Sequence, residues 1–309
     1  MKHWIQAARL RTLPLSVSGI ILGSFYAMSQ SMFNWKIVTF ALTTTLGLQI
    51  LSNFANDYGD GIKGTDNEDR VGPKRAIQSG IISPEAMKKA IIITSVLTLF
   101  SAILLIYNAF KNHNLGYSLF FFVLGILAIA SAIRYTVGNT AYGYRGYGDL
   151  FVFVFFGMVS TMGIYFMFAK TLENGYLLLL PATAIGCLSV AVLNLNNMRD
   201  ESSDKKVGKN TIVVKIGGEK AKIYHYFLVI SAMVLVVLFA VLSDFHFDQY
   251  LFVLVYILLI KHLVVVYKNK DARLLDPELK KVAISTFLLS LLLSLCLIYF
   301  LSDILVNNS

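Results

Sequence analysis

Residues 36–66 read KIVTFALTTTLGLQILSNFANDYGDGIKGTD. The apolar part is long enough to cross about 30 Å of hydrocarbon as a helix. It ends in Gln49, Asn53 and Asn56, and acids follow at once. Polar side chains inside a span are costly and mark function by default, so this stretch sets two questions: what fold the apolar run belongs to, and what its polar end does.

Outward from this stretch, windows of roughly 20 apolar residues recur at about 13–30, 36–56, 88–107, 116–134, 150–169, 176–198, 224–243, 249–267 and 282–304. The chain has 309 residues, of which 56% are hydrophobic and only 15% charged, where a soluble domain has about a quarter charged. The fold class that follows is all-α: a polytopic membrane protein with nine transmembrane helices. With the N-terminus inside, every one of the 27 lysines and arginines except Lys36, Lys111 and Lys170 falls in a cytoplasmic segment. The positive-inside rule then puts the N-terminus in the cytoplasm and the C-terminus outside. The net charge of +9 is that same signal, reinforced by anionic headgroups, and no nucleic acid is expected as a partner.

Residues 1–14, MKHWIQAARLRTLP, read as an amphipathic interfacial segment anchored by Trp4 and leading into a retained first helix. Cys187 and Cys296 lie in separate spans and are expected to be small buried hydrophobes. The histidines at 3, 113, 225, 246 and 262 show no ligand spacing, so haem or zinc ligation is not expected.

Two polar loops follow asparagine-bearing helix ends, about 57–87 and 199–223. The first begins Asn56-x-x-x-Asp60 and continues to Lys63, Gly64 and Asp66; the second contains Asn196-x-x-x-Asp200-x-x-x-Asp204. Four-residue spacing puts side chains on one helix face, so Asn196, Asp200 and Asp204 form a stripe, as do Asn56 and Asp60. An offset of four helices suggests two related four-helix units, spans 2–5 and 6–9, with both acidic stripes facing a common cytoplasmic cavity. Carboxylates with nearby amides are hard oxygen ligands suited to Mg²⁺ and, through it, to substrate phosphates. Lys63, Arg70, Lys74, Arg75, Lys205 and Lys209 would complete an electrostatic clamp for a diphosphate. The basic residues of RVGPKR, at 70–75, serve equally well as topology determinants. Asp57 stays open, about 100° from Asn56 around a helix but near Asp60. The glycines of GDGIKG lack P-loop spacing and are expected to form tight turns.

A third polar stretch, RYTVGNTAYGYRGYGD at 134–149, joins the fourth and fifth helices. Its tyrosines are either an interfacial belt or a wall for an aromatic substrate or a carbocation. Arg134, Tyr135, Arg145 and Asp149 are its first candidates.

Together NDYGDGIKGTD, DRVGPKRAIQSG, RYTVGNTAYGYRGYGD and LNLNNMRDESSDKKVGKNTIVVKIG resemble the UbiA superfamily of intramembrane aromatic prenyltransferases, over nearly the whole chain. Within it they look most like the branch acting on 1,4-dihydroxy-2-naphthoate. The resemblance implies a nine-helix bundle around a central cavity, one domain over 1–309, capped by loops at about 57–87, 134–149, 199–223 and 268–281. It implies Mg²⁺-dependent transfer of a polyprenyl group from polyprenyl diphosphate to the naphthoate with decarboxylation, giving demethylmenaquinone, in the bacterial inner membrane. Carried over residue by residue, Asp60, Asp66, Asp200 and Asp204 would be the metal-binding catalytic acids, with Asn56, Lys63 and Asn196 beside them. The naphthoate carboxylate would sit on Arg134 or Arg145. Two positions depart from the wider pattern: Gly64 stands where an Asp is common, with the acid displaced to Asp66, and Gly143 stands where some relatives carry a basic residue. Other readings are the same fold with 4-hydroxybenzoate or homogentisate as acceptor, and a secondary transporter.

Overall fold

A computed structural model describes residues 2–66, 71–111 and 114–307, with side chains described as far as 298. Among these residues the secondary structure is entirely helical, and nine helices are long and apolar enough to cross a membrane. The spans run Leu13–Ser29, Trp35–Ile62, Pro84–Phe110, Leu115–Arg134, Gly148–Ala169, Leu179–Lys206, Gly218–Leu242, Phe247–Lys268 and Asp276–Asn307, the first continuing from the short helices before it. Their starts are written in the sequence. Asn34, Ser83 and Asn114 each accept a backbone N–H of the first turn, and Pro84 follows its cap at a position where no N–H is needed.

The second and sixth spans are longer than hydropathy suggests. The second continues through Asp60 to Ile62 and the sixth through Asp204 to Lys206, so Asp60, Asp200 and Asp204 are helical, while Asp66 lies in the turn beyond the second span. Only Gly64, at φ 68°, makes the expected turn. Gly59 has a different role: a Cβ there would meet Thr136 Oγ1 at 2.6 Å, so its bare backbone lets the helix end lie against the loop after the fourth span.

Between helices in lipid, close packing replaces the hydrophobic effect as the organising force. The sixth span has 61% of its apolar window buried and the fourth only 6%, which makes the sixth the central post and the fourth a lipid-facing wall. Val96, Leu97, Phe100, Phe120 and Phe227 are exposed, as surfaces facing acyl chains are. The second span packs on the third and the sixth on the seventh, the pairing that an offset of four spans leads one to expect. The fifth carries a π-helical stretch, Phe153–Gly163.

The short helix Lys2–Ala7 lies against the second span, with Trp4 edge-on to Phe54 at 5.6 Å. Thr12 Oγ1 donates to the Arg9 carbonyl at 2.9 Å and accepts from Gln49 Nε2 and Asn53 Nδ2. The polar residues inside the second span therefore clamp the N-terminal segment. Both cysteines are free and buried. His225 and His262, far apart in sequence, meet at 2.8 Å, and His262 Nδ1 reaches Glu278 at 2.6 Å. This buried polar chain joins the seventh, eighth and ninth spans.

Candidate active site

A central cavity of about 360 Å³ is lined by the first six spans and the ninth. The seventh and eighth stand behind the sixth and ninth. Ile20, Leu105, Phe121, Leu124, Phe155 and Met167 line its apolar part, and Asn56, Asp60, Arg75, Tyr135, Asn196 and Lys209 its polar end. Tyr135 and Tyr142 meet edge to face at 5.4 Å, and Tyr142 stacks on Phe151 at 4.0 Å. Both of these tyrosines line the cavity, whereas Tyr147 is exposed.

The first motif folds back on itself. After the turn at Gly64, the N–H groups of Thr65 and Asp66 return to the Asp60 carbonyl. Asp66 thereby stands beside Asp60, both within a tenth of full burial. Arg75 Nη1 bridges them, 2.6 Å from Asp60 and 3.2 Å from Asp66, and also donates to the Asn56 carbonyl. Burial opposes the Arg75 charge, but Asp60, Asp66 and Asp57 outweigh it and raise its pKa. Asp57 accepts the backbone N–H groups of Ala76 and Ile77 at 3.1 and 3.2 Å, so it anchors the loop that presents Arg75.

Tyr144 ties the first motif to the second. Its hydroxyl donates to Asp60 Oδ1 at 2.7 Å and lies 2.6 Å from Thr65 Oγ1. The ring has Lys63 Nζ over it at 4.1 Å and Lys209 Nζ at 5.7 Å, the geometry of cation–π attraction. Burial first, then the Asp60 charge, pushes the phenol pKa upward, so this hydroxyl remains a donor. Lys63 donates to the Thr136 carbonyl at 2.7 Å.

On the sixth span Asp200 and Asp204 are both buried. Asp200 is gripped by Arg199, and Asp204 Oδ1 lies 3.3 Å from Lys209. Asp60, Asp66, Asp200 and Asp204 then close with Thr65, Ser203, Arg75 and Lys209 around a second cavity of about 10 Å³, room for roughly one water-sized sphere. Asp204 Oδ2 is buried there without a hydrogen-bond partner among the described residues. A hard-oxygen donor set, an orphaned carboxylate oxygen and a space of ionic size fit Mg²⁺. Among the described residues no three acids stand close enough to enclose one ion, and each of the four is paired with an internal cation.

The expected residues therefore divide. Asn56, Asp60, Asp66, Arg75, Tyr135, Asn196, Asp200 and Asp204, with Lys209, line one or both cavities, and Lys63 stands beside them. Lys74, Arg134, Arg145 and Lys205 are exposed and line neither; the Arg145 carbonyl accepts from Lys215. Arg70 lies outside the described residues. Asp149 accepts from Tyr224 at 3.1 Å away from both cavities. Arg9, Arg11 and Lys280 line the central cavity and were not singled out by sequence. Their only signal was basic residues flanking the first and last spans, which topology explains equally well.

The profile of the UbiA prenyltransferase family matches residues 16–282. The chain belongs to the UbiA prenyltransferase family. As a UbiA protein it is a membrane enzyme that transfers prenyl groups. It is 44% identical to the 1,4-dihydroxy-2-naphthoate octaprenyltransferase of Escherichia coli, over 94% of this chain and 92% of that protein. Its identity to the enzyme of the same name from Haemophilus influenzae is 42%, over 96% of each. The apo structure of a UbiA homolog from Aeropyrum pernix shares the fold at a TM-score of 0.65 with 14% identity, covering 96% of this chain and 98% of that one.

Proposed function

We propose that this UbiA enzyme transfers a polyprenyl group from polyprenyl diphosphate to 1,4-dihydroxy-2-naphthoate, with Mg²⁺, giving demethylmenaquinone in its hydroquinone form for menaquinone biosynthesis. The observation that carries this reading is the meeting of four buried aspartates with Arg75 and Lys209 at the mouth of an apolar cavity. The naphthoate acceptor is supported by the near-full-length identity to naphthoate octaprenyltransferases.

Asp60, Asp66, Asp200 and Asp204 would hold the metal, which when bound offsets the charge of the diphosphate and of the pyrophosphate that leaves. Arg75, Lys209 and Lys63 supply further positive charge to the diphosphate oxygens. The isoprenoid tail lies along Leu105, Phe121, Phe155 and Met167, away from water that would quench an allylic cation. Tyr135, Tyr142 and Phe151 would line the space around that cation, where aromatic rings attract positive charge. The allylic carbon–oxygen bond breaks, and pyrophosphate departs with the electron pair. The ring carbon bearing the carboxylate attacks; that group leaves as CO₂, and its bonding electrons restore the aromatic ring. We place the acidic end at the cytoplasmic face of the bacterial inner membrane, with the N-terminus inside and the C-terminus outside, because nearly all basic residues flank it. The chain acts as one domain over 1–309.

The test is mass spectrometry of products from membranes carrying the full chain, given polyprenyl diphosphates with dihydroxynaphthoate, 4-hydroxybenzoate or homogentisate. Prenylated, decarboxylated naphthol with Mg²⁺ and none with EDTA is expected. Product from another acceptor alone reassigns the acceptor, and transport without pyrophosphate release would leave the enzyme reading without support.

A further inference from the structure

The second acidic motif is held from behind by a buried chain of charges. Arg199, one residue before Asp200, is 1% exposed and lines neither cavity. Its guanidinium forks onto both oxygens of Asp200, Nε to Oδ1 at 2.9 Å and Nη2 to Oδ2 at 2.6 Å. Nη2 also donates to Asn196 Oδ1 at 2.8 Å. The other arm, Nη1, donates to Asp276 Oδ1 at 2.5 Å, at the first residue of the ninth span. Asp276 Oδ2 in turn faces Arg11 Nη1 at 3.4 Å. Positive and negative groups thus alternate from the N-terminal segment through the last span to the small cavity.

This alternation bears on what Asp200 can offer. A carboxylate has about four lone-pair sites; the Arg199 fork takes one on each oxygen, and the same carboxylate borders the small cavity shared with Asp60, Asp66 and Asp204. How strongly it attracts a cation depends on how far Arg199 is drawn to Asp200. With Asp276 present, one guanidinium is divided between two carboxylates. Without that charge, Arg199 stays buried with Asp200 as its one ionic partner, and the pair closes into a neutral unit.

We infer that Asp276 is a positioning residue of the diphosphate site: through Arg199 it fixes the orientation of Asp200 and keeps its carboxylate available to a divalent cation. The inference rests on the magnesium-diphosphate reading above. Outer-shell partners of metal ligands typically govern affinity by about 10–100-fold.

The experiment uses the full chain in detergent and two readouts: Mn²⁺ binding in the presence of pyrophosphate by electron paramagnetic resonance, and prenyl transfer titrated with Mg²⁺. Asp276→Asn should weaken Mn²⁺ binding and raise the half-saturating Mg²⁺ concentration about tenfold, with a smaller change in kcat at saturating Mg²⁺. Asp276→Glu, which keeps the charge, should recover most of the affinity. Arg11→Gln, which cuts only the outer end of the chain, should shift it less than Asp276→Asn. If Asp276→Asn binds Mn²⁺ as the wild type does, the inference is overturned and the magnesium reading stands. If kcat falls with no change in half-saturation, or the Glu variant behaves like the Asn variant, the role is merely structural and the inference also fails. A wild-type protein that binds no Mn²⁺ overturns both.

Discussion

In the proposed site Asp60 and Asp200 anchor the two halves, and each oxygen of their carboxylates has a partner. Asp60 holds Arg75 on one oxygen and the Tyr144 hydroxyl on the other, while Asp200 holds the Arg199 fork. An amide offers a divalent cation one neutral oxygen in place of a charged carboxylate and leaves Arg75 or Arg199 short of a counter-charge. Asp60→Asn and Asp200→Asn are each expected to lower turnover by at least about a hundredfold, the upper end of what even outer-shell losses cost, while the protein still inserts in the membrane. Near-normal product formation by either variant, at equal protein in the membrane, would remove that residue from the machinery. These acids were legible because four-residue spacing at a helix end is a local property. Tyr144 and Arg199 were not singled out, since nothing nearby in sequence shows that a loop tyrosine reaches Asp60 or that an arginine beside Asp200 is buried. Asp57 illustrates the same limit: its role as an anchor for Ala76 and Ile77 exists only once the loop has folded back.

At the scale of elements, hydropathy located all nine spans but not their polar ends. It measures preference for lipid, whereas a helix continues as long as its backbone is hydrogen-bonded and its polar side chains find partners. Asp60 and Asp204 find theirs, so both helices run past the apolar boundary. The π-helical stretch of the fifth span was equally invisible, since its residues are as apolar as those of any span. That stretch crosses the sixth span at Gly157, where a Cβ would meet the Ala182 carbonyl oxygen and Gly186 Cα, each at 2.7 Å. Backbone atoms cannot move aside as a side chain does. Gly157→Ala should therefore cost about 1–3 kcal/mol, the usual penalty of overpacking, seen as a lower thermal midpoint in detergent. Gly163→Ala is the control, for its nearest neighbour would be at an ordinary 3.7 Å. Equal midpoints for the two variants would show that the fifth and sixth spans yield at their crossing.

Over the whole molecule, the sequence told that both acidic ends share one face, because an even number of spans separates them. It could not tell that the seventh and eighth spans would stand outside the ring of helices that lines the cavity, since every span is comparably apolar. Nor could it tell that the acids would pair with arginine and lysine. That last feature changes how the protein greets its substrate. On the proposed reading, capture exchanges partners within a locally paired set of charges, so the site itself offers dissolved ions little unpaired charge to screen. The concentration of donor that half-saturates the enzyme should accordingly drift less than about threefold between 50 and 300 mM potassium chloride, far below the steep salt response of an open basic cleft. A tenfold or greater drift would mean that the internal pairings are loose, and that recognition begins well outside the bilayer surface.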